Sequence, residues 1–195
     1  MLSTLIELQR LKSLDRTGWV LRGLPPGTES VASHSFGVAV TAMLLADNLI
    51  ARGIEVDISR TLRMALIHDW AETRVGDMPK TATQYFGAEA RCTAELTAFR
   101  DMVQGTGFGE MIYQNLFEDY EQRASLEARL VKAADIIDLL VEVLALERAG
   151  SRGLDEFWEV AEKPDFQLDG VAEEIVAGML RDLLTARAQI KSEHT

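Results

Sequence analysis

One cysteine in 195 residues excludes a disulfide framework and a cysteine-rich zinc site. Cys92 is expected to be a small packed residue, with a catalytic thiol as the rarer alternative. A reducing cytoplasm is the compartment this usage suggests. Proline is equally scarce: of four, Pro25, Pro26 and Pro79 stand beside turn signals, and no Pro/Gly/Ser linker divides the chain. Basic residues are outnumbered, 20 Lys and Arg against 31 Asp and Glu, for a net charge of −11. Such a balance argues against a surface that follows a nucleic-acid backbone, which needs clustered cations. A small anionic substrate stays open, provided a bound metal or a few placed arginines supply local positive charge. No uninterrupted apolar run approaches the ~20 residues that span a bilayer, so no membrane partner is expected. The opening MLSTLIELQRLKSL carries Glu7 and Arg10 in an amphipathic pattern and reads as a helix, not as a secretory signal.

What is present is helix. Apolar residues recur three and four apart, and period-two alternation is missing. The pattern predicts helices over 2–14 and 29–52, then one capped by Asp57 or Ser59 and reaching Asp69. A short helix follows over 70–75, ended by Gly76, and another over 87–104, broken by Gly105, Gly107 and Gly109. A long helix is expected over 119–149, then two more over 153–162 and 168–191, on either side of Pro164. Residues 16–28 read as a loop closed by Pro-Pro-Gly. The expectation is an all-α, single-domain irregular bundle over residues 1–195, of ordinary globular composition at 47% hydrophobic.

Histidine is rare enough to matter. His194 falls in the terminal tail; His34 sits in ESVASHS at the start of a long helix; His68 ends the apolar stretch TLRMALIH, with Asp69 beside it. Asp135 lies in LVKAADIIDLL, flanked by alanines and isoleucines. A carboxylate in that setting is costly unless it is paired or coordinates a metal. Each residue alone has a bland explanation. His34 fits a hydrogen-bonded core residue, His68-Asp69 a helix end, and Asp135 an ion pair with Lys132 three residues back. Together, two imidazoles and two carboxylates form a mixed N/O donor set suited to Mn, Fe, Co, Ni or Zn, with coordination positions left for water and substrate.

The order His34, His68-Asp69, Asp135, each on its own predicted helix, resembles the HD-domain superfamily of metal-dependent phosphohydrolases. The surrounding residues narrow the likeness. ESVASHS resembles the context of that family's first histidine, and HDWAETRVGDMPK and RTGWVLRG are similar to blocks of its 5′-deoxynucleotidase subgroup. The resemblance covers residue 11 to about 148. It implies that His34, His68, Asp69 and Asp135 hold one divalent metal ion, with Asp69 counted also among the catalytic residues. It implies that Glu72 moves a proton or places the attacking water, a surface ion pair being its plainer reading. Gly76 would supply a tight turn, and Asp77 would favour deoxyribose over ribose. Arg16 would bind phosphate, Trp19 would shape the sugar or base side, and Lys80 is a further phosphate candidate.

The implied reaction is one-step hydrolysis of a deoxyribonucleoside 5′-monophosphate, by a homodimer, in the cytoplasm. Two alternatives stand beside it. One is an HD enzyme for another phosphate ester, such as a nucleoside triphosphate or a cyclic nucleotide. The other is a metal-binding regulatory HD module without catalysis, whose mark would be loss of Glu72 or of a ligand; all are present.

Overall fold

A computed structural model describes residues 1–162 and 164–193, the side chains of Lys80, Phe108 and Glu193 excepted. Eleven α-helices and no strand occur among the described residues. They are α1 (Leu2–Leu8), α2 (Thr17–Val20), α3 (Val31–Ala51), α4 (Ile58–Ile67), α5 (Glu72–Val75) and α6 (Lys80–Phe86). Then come α7 (Ala88–Val103), α8 (Glu110–Gln122), α9 (Leu126–Arg148), α10 (Glu159–Glu162) and α11 (Gly170–Glu193). The all-α expectation holds.

Helix α3 is the centre, with α4, α9 and α11 packed on it. Ser30 starts it, its hydroxyl accepting the Ser33 N–H at 3.1 Å. Val38, Ala42, Leu45 and Leu49 then recur at three- and four-residue spacing and are fully buried or nearly so. By length and composition alone α3 could cross a bilayer. Its buried face instead carries His34 and Ser35 into the interior. Those polar residues and Asp47 are what kept the sequence from showing an unbroken apolar run.

Asp57 caps α4, accepting the Arg60 N–H at 2.9 Å. Helix α11 joins the same core through Val176, Leu180 and Leu183. Arg187 pins it to α9 through Glu147 at 2.9 Å, with its guanidinium over the Trp158 ring. The residues after about 148 therefore support the helix that carries Asp135. Trp158, Leu180 and Leu183 are buried, and Phe157, Ile175 and Leu184 pack against the core.

Several boundaries differ from the sequence reading: the expected 16–28 loop contains α2, and α8 starts at Glu110, well before the helix expected from 119. The expected 119–149 helix is broken at residues 123–125, where Arg123 takes a left-handed conformation (φ 52°) and Ser125 begins α9. The 80–86 helix was not foreseen; Tyr85 and Phe86 are exposed, so burial leaves no periodic trace there.

Candidate metal centre

Three helices deliver the ligand set. His34 comes from the second turn of α3, Asp135 from α9, and His68-Asp69 from the end of α4. After Ile67 the chain tightens rather than stops. Trp70, Glu72 and Thr73 donate to the carbonyls three residues back, of Ile67, Asp69 and Trp70, at 3.0 to 3.1 Å. That winding keeps Glu72 close behind the His-Asp pair and leads into α5.

Hydrogen bonds fix which imidazole nitrogen faces inward. His68 Nδ1 lies 2.8 Å from the Ala65 carbonyl, which can only accept, so Nδ1 carries the proton. Its Nε2 lone pair is left inside, buried and without a hydrogen-bond partner; Asp69 Oδ2 lies 3.1 Å away but out of hydrogen-bonding alignment. His34 Nδ1 is 2.8 Å from Asp138 Oδ2, so its proton is also on the outer nitrogen. His34 Nε2 faces Asp135 Oδ1 at 3.2 Å and Asp69 Oδ2 at 3.8 Å. The outer oxygen of Asp135, Oδ2, is satisfied by the Tyr120 hydroxyl at 3.2 Å and Lys132 Nζ at 2.7 Å, which leaves Oδ1 turned to the histidines.

The donor atoms of His34, His68 and Asp135 lie within 4.8 Å of one another, and Asp69 Oδ2 adjoins both imidazoles. A neutral imidazole lone pair aimed at two carboxylates needs a cation between them. Here a proton answers that need. Burial and Arg16 pull the His34 imidazolium down, yet Asp135 and Asp138 outweigh them and push it up to about 9. Burial likewise opposes the Asp135 charge, while Lys132 and the two histidines hold that carboxyl well below the usual range. Asp69 behaves similarly, burial being outweighed by His68, His34 and Arg16. A divalent ion would satisfy the same atoms, including the unpartnered His68 Nε2 and Asp69 Oδ2. The residues fit such an ion.

Around this set the structure brings together most of the other predicted residues. Arg16 Nη1 lies 3.6 Å from Asp69 Oδ2. Burial works against its charge, but Asp69, Asp77, Asp135 and Glu72 outweigh that, so the guanidinium stands among four carboxylates. Its loop is tied at both ends: the Arg16 N–H donates to Glu29 O at 3.0 Å, and the Val31 N–H to Leu14 O at 2.9 Å. Glu72 is buried, with Oε2 unpartnered. Burial first, then Asp69 and Asp77, push its carboxyl well above the ordinary value, with Arg16 opposing. Gly76 takes φ 78°, ψ 161°, a conformation open to glycine, and turns the chain so that Asp77 meets α2. Asp77 accepts the Thr17 N–H through Oδ2, and its carbonyl accepts the Thr17 hydroxyl at 2.7 Å.

Trp19 is placed differently from the expectation. It is 1% exposed, packed on Phe157 at 4.8 Å, with Nε1 donating to Glu29 Oε2 at 2.7 Å. The indole is a buried strut of the Arg16 loop and offers no free face to a sugar or base. The Lys80 side chain and His194 lie outside the described residues. Tyr120, Lys132 and Asp138 complete the site. Lys132 had entered the sequence reading only as a possible ion-pair partner of Asp135; the ion pair is real, and it sits at the metal set. Asp138 had a signal, its three-residue spacing from Asp135. Tyr120 had none, because it reaches Asp135 only through the break at 123–125.

The family model for the HD domain matches residues 8–164. This chain belongs to the HD domain family. The 5′-deoxynucleotidase HDDC2 of Danio rerio is 30% identical over 182 residues, covering 92% of this chain and 84% of that protein. The 5′-deoxynucleotidase YGK1 of Saccharomyces cerevisiae is 31% identical over 157 residues, 77% and 69% of the two. Among solved structures, the PH0347 protein of Pyrococcus horikoshii is 32% identical, with a TM-score of 0.79 over 95% of this chain and 99% of that one. Membership of the HD domain family implies divalent-metal binding, and His34, His68 and Asp135 form a cluster that could hold such an ion.

Proposed function

We propose that this HD domain is a metal-dependent 5′-deoxynucleotidase, hydrolysing deoxyribonucleoside 5′-monophosphates to a deoxynucleoside and inorganic phosphate. One arrangement carries the reading: the Arg16 guanidinium lies 3.6 Å from Asp69, and the buried Glu72 carboxyl, pushed up by burial and by Asp69 and Asp77, adjoins the same donor set of His34, His68, Asp69 and Asp135. The names of the relatives from Danio rerio and Saccharomyces cerevisiae point to the same substrate class.

His34, His68, Asp69 and Asp135 would hold the ion. When bound, it acidifies a water and polarises a phosphoryl oxygen. Arg16 binds and orients the phosphate and offsets charge on its oxygens as the transition state forms. Lys132, with donors beyond the one given to Asp135, serves the same anion. Water adds to phosphorus and the bond from phosphorus to the 5′-oxygen breaks. Glu72, disposed by burial to hold a proton, gives one to the departing oxygen and regains one from the attacking water. Asp77 lies close enough to Arg16 and Glu72 to shift both, and one of its oxygens is held by Thr17; from there it limits the space for a 2′-hydroxyl.

Residues 1–195 act as one domain, supported by the sharing of one core between α3, α9 and α11. The ion is one of Co, Mn, Fe, Ni or Zn, as a mixed N/O set allows. The protein works in the cytoplasm on small nucleotides, away from nucleic-acid polymers and membranes, consistent with its charge of −11 and single cysteine. It works as a homodimer, supported by the apolar outer row of α3, where Phe36 is 70% and Leu44 60% exposed.

Phosphate release across deoxyribonucleoside and ribonucleoside monophosphates, triphosphates and cyclic nucleotides tests the assignment. Release is expected chiefly from the deoxyribonucleoside monophosphates, from a sample that sediments at twice the chain mass. Release confined to triphosphates or cyclic nucleotides would contradict the substrate, and a monomer would contradict the dimer.

A further inference from the structure

We propose that Asp138 is a positioning residue of the metal centre, acting through His34, and that Gly37 is the opening in α3 that admits it. The inference rests on the reading of His34 as a metal ligand. Asp138 Oδ2 meets His34 Nδ1 at 2.8 Å, one helical turn along α9 from Asp135. One helix thus supplies a carboxylate to each side of the same imidazole, Asp135 at Nε2 and Asp138 at Nδ1. The ring is fully buried. Glu29 also brings a carboxylate oxygen within 4.8 Å of His34 and Asp138, and its Oε2 accepts from the Trp19 indole.

Gly37 shows how the arrangement is built. It lies inside a 21-residue helix, where glycine is among the poorest helix formers. A Cβ added there would stand 2.0 Å from Asp138 Oδ1 and 2.6 Å from its Cγ. Any other residue at 37 displaces the carboxylate from His34. A local weakness in helix propensity is thereby exchanged for a contact at the site, the pattern expected where function overrides local preference.

The two histidines are consequently unequal. His68 gives its outer proton to a neutral carbonyl, His34 to an anion. A carboxylate behind an imidazole fixes its tautomer and ring plane and makes the inner nitrogen a stronger donor. Loss of such a partner typically weakens metal binding ~10–100-fold. The cluster Glu29, His34 and Asp138 could be taken for a second ion site, but an ion there would need the Nδ1 atom that already carries the hydrogen bond to Asp138.

Metal-stripped full-length protein titrated with Co²⁺, followed by the visible absorption of the bound ion and paired with thermal melts, tests this. Asp138→Ala is expected to weaken Co²⁺ binding ~10–100-fold. Asp138→Asn should lose less, because its amide oxygen can still accept from Nδ1. Gly37→Ala should also weaken binding while its melting temperature stays level or rises, since alanine favours the helix. In the Asp138→Ala background, Gly37→Ala should have no further effect on affinity. Native affinity in Gly37→Ala and Asp138→Ala, or fully additive losses, would overturn the inference. Failure of the native chain to bind Co²⁺ would instead overturn the metal-site reading beneath it. Should Asp138→Ala not fold, Gly37→Ala against Asp138→Asn decides the matter.

Discussion

Glu72 is where folding and chemistry conflict most openly. Its carboxyl is buried beside Asp69 and Asp77 with one oxygen unpartnered, and its proton is held more tightly than in the unfolded chain. The linkage has a definite sign. As pH rises from the unfolded value, about 4.3, through the raised folded value, the unfolded chain releases this proton first, and stability is lost. Glu72→Gln removes that loss. In chelator, the variant should melt above the native protein at about pH 8 and converge with it near pH 4. With metal restored, its turnover should fall ~10²–10⁴-fold, the usual contribution of a positioned proton-transfer group. A variant that melted lower at high pH would mean that the native carboxylate is ionised and paired. The residues that sequence made legible here are those whose chemistry is costly without a partner: His34, His68, Asp69, Glu72 and Asp135. Trp19 misled because an indole has two uses, and the hydrogen bond to Glu29 that decides between them joins its side chain to one ten residues away.

At the scale of elements, the turn between α8 and α9 matters most. Along one continuous helix, Tyr120 would stand about 22 Å from Asp135. The break folds α8 back and brings its hydroxyl to 3.2 Å. No glycine or proline marks the place; Arg123 takes the left-handed position, and Ala128 stands where a capping box would show Glu or Gln. Side chains make the turn instead. The Ser125 hydroxyl accepts the Ala128 N–H at 3.1 Å and donates to Asp119 Oδ2 at 2.6 Å, and Asp119 Oδ1 accepts the Ser125 N–H at 2.9 Å. Arg60 of α4 completes the knot at 2.5 Å. Periodicity reads straight through such a turn, because apolar spacing persists on both sides. Ser125→Ala should lower the unfolding free energy by ~1 kcal/mol in urea titrations, the value of a helix N-cap. An unchanged midpoint would show that Asp119 and Arg60 hold the turn without it. Where glycine does the stopping, at Gly53, Gly76 and Gly150, the boundaries were visible in advance.

The whole molecule combines a net charge of −11 with a pocket that must accept an anion. It sets cations against the carboxylates, Arg16 against Asp69 and Lys132 against Asp135, and a bound divalent ion would add to them. The packing of α11 on α9 was not legible, since a C-terminal amphipathic helix can face a partner as readily as its own core. Bundle class was legible, because 3.6-residue periodicity is a property of single segments, while their angles and neighbours are set by packing.

If the proposed function holds, His34, His68, Asp69 and Asp135 together hold the ion on which hydrolysis depends. Stripped protein and its Asp69→Ala variant, reloaded with a single divalent metal, should be followed together for bound metal and for phosphate released from a deoxyribonucleoside monophosphate. The native chain should gain turnover in step with the metal it binds, and Asp69→Ala should show neither. Undiminished phosphate release in chelator, or from Asp69→Ala without bound metal, would contradict the account.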